Sequence, residues 1–561
     1  MADEIIARGE DGLFHPSDEQ QIIDLIGYAR RPNRTVRARG ATHSVAWSIY
    51  SDPVAGAPTN KTLEQTPPIG DDVNIAFDEM RELEWIDEDQ GIVEVEPGIN
   101  LGFDPRDPFG ISTLENSFLY QIFEKGWAVD VLGGITHQTA AGFTATGSAG
   151  GSTRYGWNNV IAFRVVDGMG NAEWIDKEHA DFPAFSVSMG LLGIITRIRF
   201  QLVPMYNIKG TESTTPIAGP SAPVDLFGPG DADRPSLEQY LKQTPYTRIV
   251  WWPQKGAERI QTWRAERVEF TREDLEPYEQ FPPTLGGQTE QLLGSTVFIL
   301  LGNTNMFREL RLIAQNIPHY LTNLSNAANG SGQRIFYILA GTLVAAITLL
   351  IGLFFSVFQG LARVMFATLL KLFQPITKPG RETQFHDFYW RSLCMDNTVD
   401  DVFLGTEFTE IWVPIGEAQR TMNLYREMFE AGGAAATGYF STEVYAGPPS
   451  SAWMHPGYSD GADAYRDGTV RFDVYWFRAN KGAPNVDEGF FEQYWDLLKD
   501  NGVPFRLHWG KFIPRFDFGK WAAHYRENLP RFDDFLTVRE RRDPDGIFFN
   551  RYWRERLTGS A

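Results

Sequence analysis

The stretch Gly133-Gly134-Ile135-Thr136-His137-Gln138-Thr139-Ala140-Ala141-Gly142-Phe143-Thr144-Ala145-Thr146-Gly147-Ser148-Ala149-Gly150-Gly151 is built almost wholly from Gly, Ala, Thr and Ser. Side chains this small cannot make a core of their own, and their ordered alternation is unlike a linker. What they permit is close approach, because a backbone free of bulky side chains can bring its N–H groups against a phosphate. A second such turn, Gly40-Ala41-Thr42-His43-Ser44, follows the strand-like run from Thr35 to Arg39. Tight loop packing would account for either turn taken alone. Neither matches the strand–GxGxxG–helix unit of a nicotinamide-binding domain or the GxxxxGK[ST] phosphate loop, so both of those readings lose support.

Working outward, Ser17 with Gln20 reads as a capping box, and Ile22, Ile23, Ile26 and Ala29 follow at helical spacing. Residues 73–77 and 92–96 predict two strands flanking a polar turn and closing at Pro97-Gly98. Residues 160–167 and 172–175 predict a hairpin across Gly168-Met169-Gly170, and 193–200 a buried strand. Pro216, Pro220, Pro223, Pro229 and Pro235 mark a loop, which puts a domain boundary near 205. Beyond it, 248–253, 408–413, 440–445 and 470–476 are strand candidates separated by helical segments, the pattern of a mixed α+β lobe.

The 561 residues carry Lys+Arg 51 and Asp+Glu 72, a net charge of −21, which argues against nucleic acid as a partner. Cys394 is the only cysteine, so there is no internal disulfide and no thiolate metal cage. The nine histidines include no pair at ligand spacing on one helix, and no metal site is expected. Met1 to Arg8 lacks a basic patch followed by an apolar run, so no cleavable signal peptide is expected.

Over residues 14 to 200, HPSDEQQIIDLI, RARGATHS, VEPG, GGITHQTAAGFTATG and SMGLLGIITRIRF occur in an order that resembles the FAD-binding half of the vanillyl-alcohol oxidase-type (PCMH-type) flavoproteins. Arg506-Leu507-His508-Trp509-Gly510-Lys511 and Asp543-Pro544-Asp545-Gly546-Ile547-Phe548-Phe549-Asn550 are similar to the C-terminal signature of the aldonolactone and alditol oxidase branch, which includes gulonolactone and arabinonolactone oxidases. The resemblance implies an α+β, two-lobe architecture: an FAD-binding lobe from 1–205, completed by 505–561, and a cap or substrate lobe of 206–504 with a mixed sheet. It also implies FAD, attached covalently through His43 to the flavin 8α carbon, although a turn histidine that only packs on the ring is the bland alternative.

Further cofactor contacts implied by the resemblance fall on Arg39, Gly40, Ala41, Thr42 and Ser44 in the first turn, and on Gly134, Thr139, Gly142, Thr146, Gly147 and Ser148 in the second. Gly193 and Ile195, with His508 and Lys511, complete that set. Lys511 is the implied cation beside flavin and substrate oxygen, where positive charge favours the electron-rich reduced ring. Glu443 falls where the branch has a Glu-x-Arg pair, and is the implied group that orients or deprotonates a substrate hydroxyl. The arginine position of that pair is Tyr445, and Ala149 stands where many relatives have a histidine. Glu410 is a second acid of the same lobe, read as structural.

Residues 335–362 carry no charge, with Arg334 before them and Arg363, Lys371, Lys378 and Arg381 after. A helix of this length can cross a hydrocarbon core of ~30 Å. Because one FAD lobe is drawn from both flanks, a single crossing is excluded. An apolar helical insertion over 335–373 remains, either re-entrant with a bend at Gln359-Gly360 and a return over 361–373, lying in the membrane plane, or buried in an oligomer. The preferred expectation is a monotopic flavoenzyme at the cytoplasmic face of a membrane, in contact with lipid. It oxidises the CH–OH group of a small-molecule alcohol, a sugar lactone or polyol, and passes electrons to O2, a quinone or a cytochrome. The alternatives are a lipid-linked or apolar alcohol with quinone as acceptor, and a flavin-containing subunit of a membrane complex.

Overall fold

The computed structural model describes residues 5–30, 34–52, 61–68, 70–253, 258–278, 330–358, 382–395, 406–437, 441–477, 487–515 and 520–559, with a few more between 292 and 361. The first helix, Glu19–Ala29, buries Ile22, Leu25, Ile26 and Ala29. Its cap is Asp18 rather than Ser17: the Asp18 carboxylate accepts from the backbone of Gln21, while Ser17 exchanges hydrogen bonds with the Gln21 side chain. An ionised carboxylate one residue nearer the free N–H groups displaces the hydroxyl from that role.

Strand β1 (Val36–Arg39) pairs in parallel with β2 (Val73–Ala76). The stretch read as a polar turn after β2 contains a further strand, β3 (Leu83–Asp87), antiparallel to β4 (Ile92–Val95). Since β3 is an edge strand with its charged residues exposed, it lacks the apolar run that marks its neighbours. Next come β5 (Trp127–Ala128), β6 (Val160–Val166), β7 (Ala172–Asp176), β8 (Ile194–Gln201) and β9 (Val203–Pro204). The expected hairpin is β6–β7, and the five-stranded sheet runs β3-β4-β8-β6-β7.

The rest of the chain supplies β10 (Asn207–Pro216), β11 (Tyr246–Trp252), β12 (Arg259–Val268), β13 (Glu382–Phe388), β14 (Thr406–Pro414), β15 (Thr442–Gly447), β16 (Thr469–Phe477) and β17 (Arg506–Leu507). These form an eight-stranded sheet in the order β13-β10-β12-β11-β15-β16-β14-β17. Phe472 of β16 packs against Tyr425 of the helix Ala418–Thr437 at 5.4 Å, so alternate residues Arg471 and Asp473 face the other way. The α+β expectation holds. Of the predicted strands, the start at Phe440 lies outside the described residues.

The C-terminus closes on the N-terminus. Val36 donates to the carbonyl of Ile547 at 2.8 Å, the Asp543 carboxylate accepts from the backbone of Ile547 and Phe548, and Gly168 donates to Arg542.

The apolar insertion departs after β12 and returns at β13, and both strands pair with β10, one on each side. Within it, the helix Ser331–Val357 leaves Ile335, Leu339 and Leu350 61%, 66% and 65% exposed. The bend at Gln359-Gly360 and the return to Phe373 lie outside the described residues, Leu361 apart.

Two glycines test this packing in opposite directions. A Cβ on Gly98 would stand 1.9 Å from the Phe77 carbonyl oxygen, whereas one on Gly27, in the first helix, meets nothing within 4 Å. Gly98→Ala should lower the thermal midpoint strongly or abolish soluble expression. Gly27→Ala should raise stability by about 0.5–1 kcal/mol, as for any exposed helical glycine. Thermal and denaturant melts of the two variants check this.

Candidate active site

One cleft lies between the two sheets, enclosing about 1780 Å³ of empty space with the solvent at its mouth included. The turn after β1 lines it with Arg39, Gly40, Ala41, Thr42, His43 and Ser44, and the small-residue stretch with Gly134, Thr139, Gly142, Thr146 and Ser148. Gly193 and Ile195, at the start of β8, form part of the wall, as do His508 and Lys511. Glu443 faces them from β15. Gly147 does not line the cleft: with φ at +73°, it turns the chain against Val187 and His455.

The shape of the first turn has visible causes. A Cβ on Gly40 would stand 2.4 Å from Thr139 Oγ1, so only glycine lets the two small-residue turns meet. Thr42 adopts φ +61°, a backbone state that β-branched residues rarely take and that concentrates at binding sites. Lys511 Nζ donates to the His43 carbonyl at 3.0 Å and lies 3.9 Å over the Phe408 ring, so Lys511 and His43 are neighbours.

His508 Nδ1 accepts from the Gly510 backbone at 3.1 Å, so the ring proton sits on Nε2, 3.2 Å from Ser148 Oγ. Burial, with Lys511 and Arg471 nearby, pushes the His508 imidazolium down to about 4 and keeps the ring neutral at pH 7.

Facing these groups, strand register sets two rows across the eight-stranded sheet. Glu443 of β15 pairs with Asp473 of β16, which pairs with Glu410 of β14. In the next row, Tyr445 pairs with Arg471, and Arg471 with Trp412. Tyr445 donates its hydroxyl to Glu443. Arg471 donates to Asp473 Oδ2 at 3.2 Å and lies 3.6 Å from Glu410 Oε1. Burial and the two flanking carboxylates push the Asp473 carboxyl well above its usual range. Burial also acts on Glu410, but the charges of Arg471 and Lys511 and the hydrogen bond from Trp412 hold that carboxyl below the usual range.

The sequence reading passed over Arg471 and Asp473. Their signal is alternation: Arg471, Asp473 and Tyr475 recur every second residue, with the apolar Val470, Phe472, Val474 and Trp476 between and around them.

The wall of the cleft fits the FAD that the resemblance implies. Arg39 Nε, Thr42 Oγ1 and Gln138 Oε1 are buried at it without a protein partner, the condition of groups that await a polar ligand.

Comparison with known proteins agrees. A family model described as D-arabinono-1,4-lactone oxidase matches residues 443–556. The D-arabinono-1,4-lactone oxidase of Saccharomyces cerevisiae is 28% identical over 207 residues, 36% of this chain and 33% of that protein. The match thus spans about a third of the length of such yeast relatives. The L-gulono-1,4-lactone dehydrogenase of Mycobacterium tuberculosis is 22% identical over 551 residues, covering 97% of this chain and 95% of that one. Among solved structures, cholesterol oxidase from Brevibacterium sterolicum superposes with a TM-score of 0.57 at 15% identity, covering 97% of this chain and 93% of that one, a likeness of fold. The chain is therefore similar to the aldonolactone oxidases, most clearly over its C-terminal part, and shares the fold of cholesterol oxidase.

Proposed function

We propose that the chain is an FAD-dependent oxidoreductase that oxidises a CH–OH group of a sugar lactone or polyol-like alcohol, and that its apolar helix holds it at the cytoplasmic face of a membrane. The reading is carried by one observation: His43, Lys511 and Glu443, from distant parts of the chain, line the same cleft. FAD, when bound, supplies the hydride acceptor at flavin N5. As the C–H bond of the substrate breaks with its electron pair, Glu443 takes the hydroxyl proton and the C–O bond becomes C=O. Lys511 offsets the negative charge that builds on that oxygen. The turn around His43 holds the flavin, covalently through His43. The electrons then pass to O2, a quinone or a cytochrome.

Membrane attachment rests on the exposed helix. Its side chains cannot stay in water: at ~25 cal/mol per Å², a face of this length costs on the order of tens of kcal/mol, beyond a domain's net stability of about 5–15 kcal/mol. Because β12 and β13 flank the same strand, both ends of the insertion return to one side, which favours a dip into one leaflet over a crossing. Arg334 at the helix start, with the cations that follow in the sequence, suits anionic head groups. The same helix favours a second reading, an alcohol delivered from lipid with quinone as acceptor.

Anaerobic flavin bleaching against D-arabinono-1,4-lactone, L-gulono-1,4-lactone, polyols and lipid alcohols decides between the two, and reoxidation by O2, a quinone or a cytochrome identifies the acceptor. Bleaching by lipid alcohols alone would overturn the first reading. Acid-precipitated protein should stay yellow, and His43→Ala should release its flavin on precipitation; flavin wholly in the wild-type supernatant would refute the covalent link. Lys511→Met and Glu443→Gln should slow flavin reduction by about 10²–10³ with FAD content intact. Replacing residues 335–373 by a short Gly/Ser linker should move the protein from the membrane to the soluble fraction with FAD retained. Full-length protein that is monodisperse without detergent would refute the attachment.

A further inference from the structure

Two departures from the aldonolactone oxidase pattern meet at one side chain. By the resemblance, Tyr445 falls at the arginine position of a Glu-x-Arg pair and Ala149 at a histidine position. Arg471, reaching from β16, lies with its guanidinium 4.2 Å from the Tyr445 ring and donates Nη1 to the Ala149 carbonyl at 2.6 Å. Its positive charge thus stands one strand away from Tyr445, on the same face as Glu443.

Two atoms here are unspent. Arg471 is 6% exposed and Asp473 3%, and both line the cleft. Yet Arg471 Nε and Asp473 Oδ1 have no hydrogen-bond partner in the protein. Buried polar atoms left unpaired cost about 1–3 kcal/mol each, more when charged, so a cleft that retains them is built for a ligand that pairs with them. We propose that Arg471 and Asp473 are, with Glu443, the groups by which this chain reads its substrate, and that the substrate is an uncharged compound with several neighbouring hydroxyl or lactone oxygens.

Charge and polarity select that class. Arg471 and Lys511 are matched by Glu410 and Glu443, with Asp473 between those two acids, so this wall has no cation left over for a carboxylate substrate. An apolar alcohol would leave Arg471 Nε and Asp473 Oδ1 unpaired, which disfavours it by the same cost. A hydroxyl beside the one being oxidised accepts from the guanidinium, and a second hydroxyl pairs with Asp473 Oδ1.

This inference rests on the oxidoreductase reading, and binding separates the two. The holoenzyme is titrated anaerobically with D-arabinono-1,4-lactone, L-gulono-1,4-lactone, a polyol, an open-chain aldonate and decanol, following both perturbation of the flavin spectrum and its bleaching. Wild type should bind the lactones or the polyol, and neither the aldonate nor decanol. In Arg471→Met, the dissociation constant for the best lactone or polyol should rise about 10- to 100-fold, the range of a hydrogen bond to a charged group, with FAD content unchanged. Added guanidinium chloride should restore part of the affinity. Asp473→Asn, which keeps shape, should weaken binding less, and Arg471→Lys guards against misfolding of the methionine variant. Unchanged lactone and polyol affinity in both Arg471 variants, or preferential binding of the aldonate or decanol by wild type, overturns the assignment. If wild type binds a lactone without bleaching, the oxidoreductase reading fails while the binding comparison still judges Arg471. If no lactone or polyol binds, both fall.

Discussion

A buried cation ties the ends of this chain together. Arg37, on β1, is 3% exposed, and its guanidinium donates to the carbonyls of Ser48, Met189, Gly190 and Phe548. Burial lowers its pKa to about 10, still charged at neutral pH, and a buried charge is tolerable only while such acceptors surround it. Those acceptors come from the N-terminal turn, the loop before β8 and the C-terminal signature. Only when all three arrive do both terminal nitrogens of the guanidinium find their acceptors, and Arg37, Ser48, Met189 and Gly190 then line the cleft. Asp543, which holds the backbone of Ile547 and Phe548, presets one of them.

Above that floor, the same economy governs the eight-stranded sheet. Three carboxylates stand side by side on neighbouring strands, an arrangement that like charges oppose. Arg471, beside Asp473 and Glu410, and the raised proton affinity of Asp473 reconcile them. A buried charged row of this kind is weak support for stability, since apolar residues of the same volume would serve as well or better. Its presence at the cleft wall, opposite His43 and Lys511, points to recognition and chemistry.

The apolar insertion is separable from both. It leaves and re-enters the sheet beside β10, so strand pairing does not depend on its internal structure. Such an arrangement lets an exposed apolar helix be carried on this fold without reshaping the cleft.

The sequence by itself determined the local signals: the two small-residue turns, the β6–β7 hairpin, the strands of the eight-stranded sheet read in outline, and the uncharged helix, because each rests on periodicity or residue size within about ten positions. It also proposed His43, Lys511 and Glu443 as site residues, through motifs short enough to recognise, and the three line one cleft. It misjudged β3, whose charged edge face mimics a turn, and the first helix cap, where Asp18 outcompetes Ser17. What only the tertiary structure decided is which residues stand opposite one another. Arg471 lies 26 residues from Tyr445 in sequence, yet antiparallel register sets the two side by side, with Arg471 also reaching the Ala149 carbonyl. No local pattern encodes such an encounter, because strand register is settled by the burial of whole faces across the sheet.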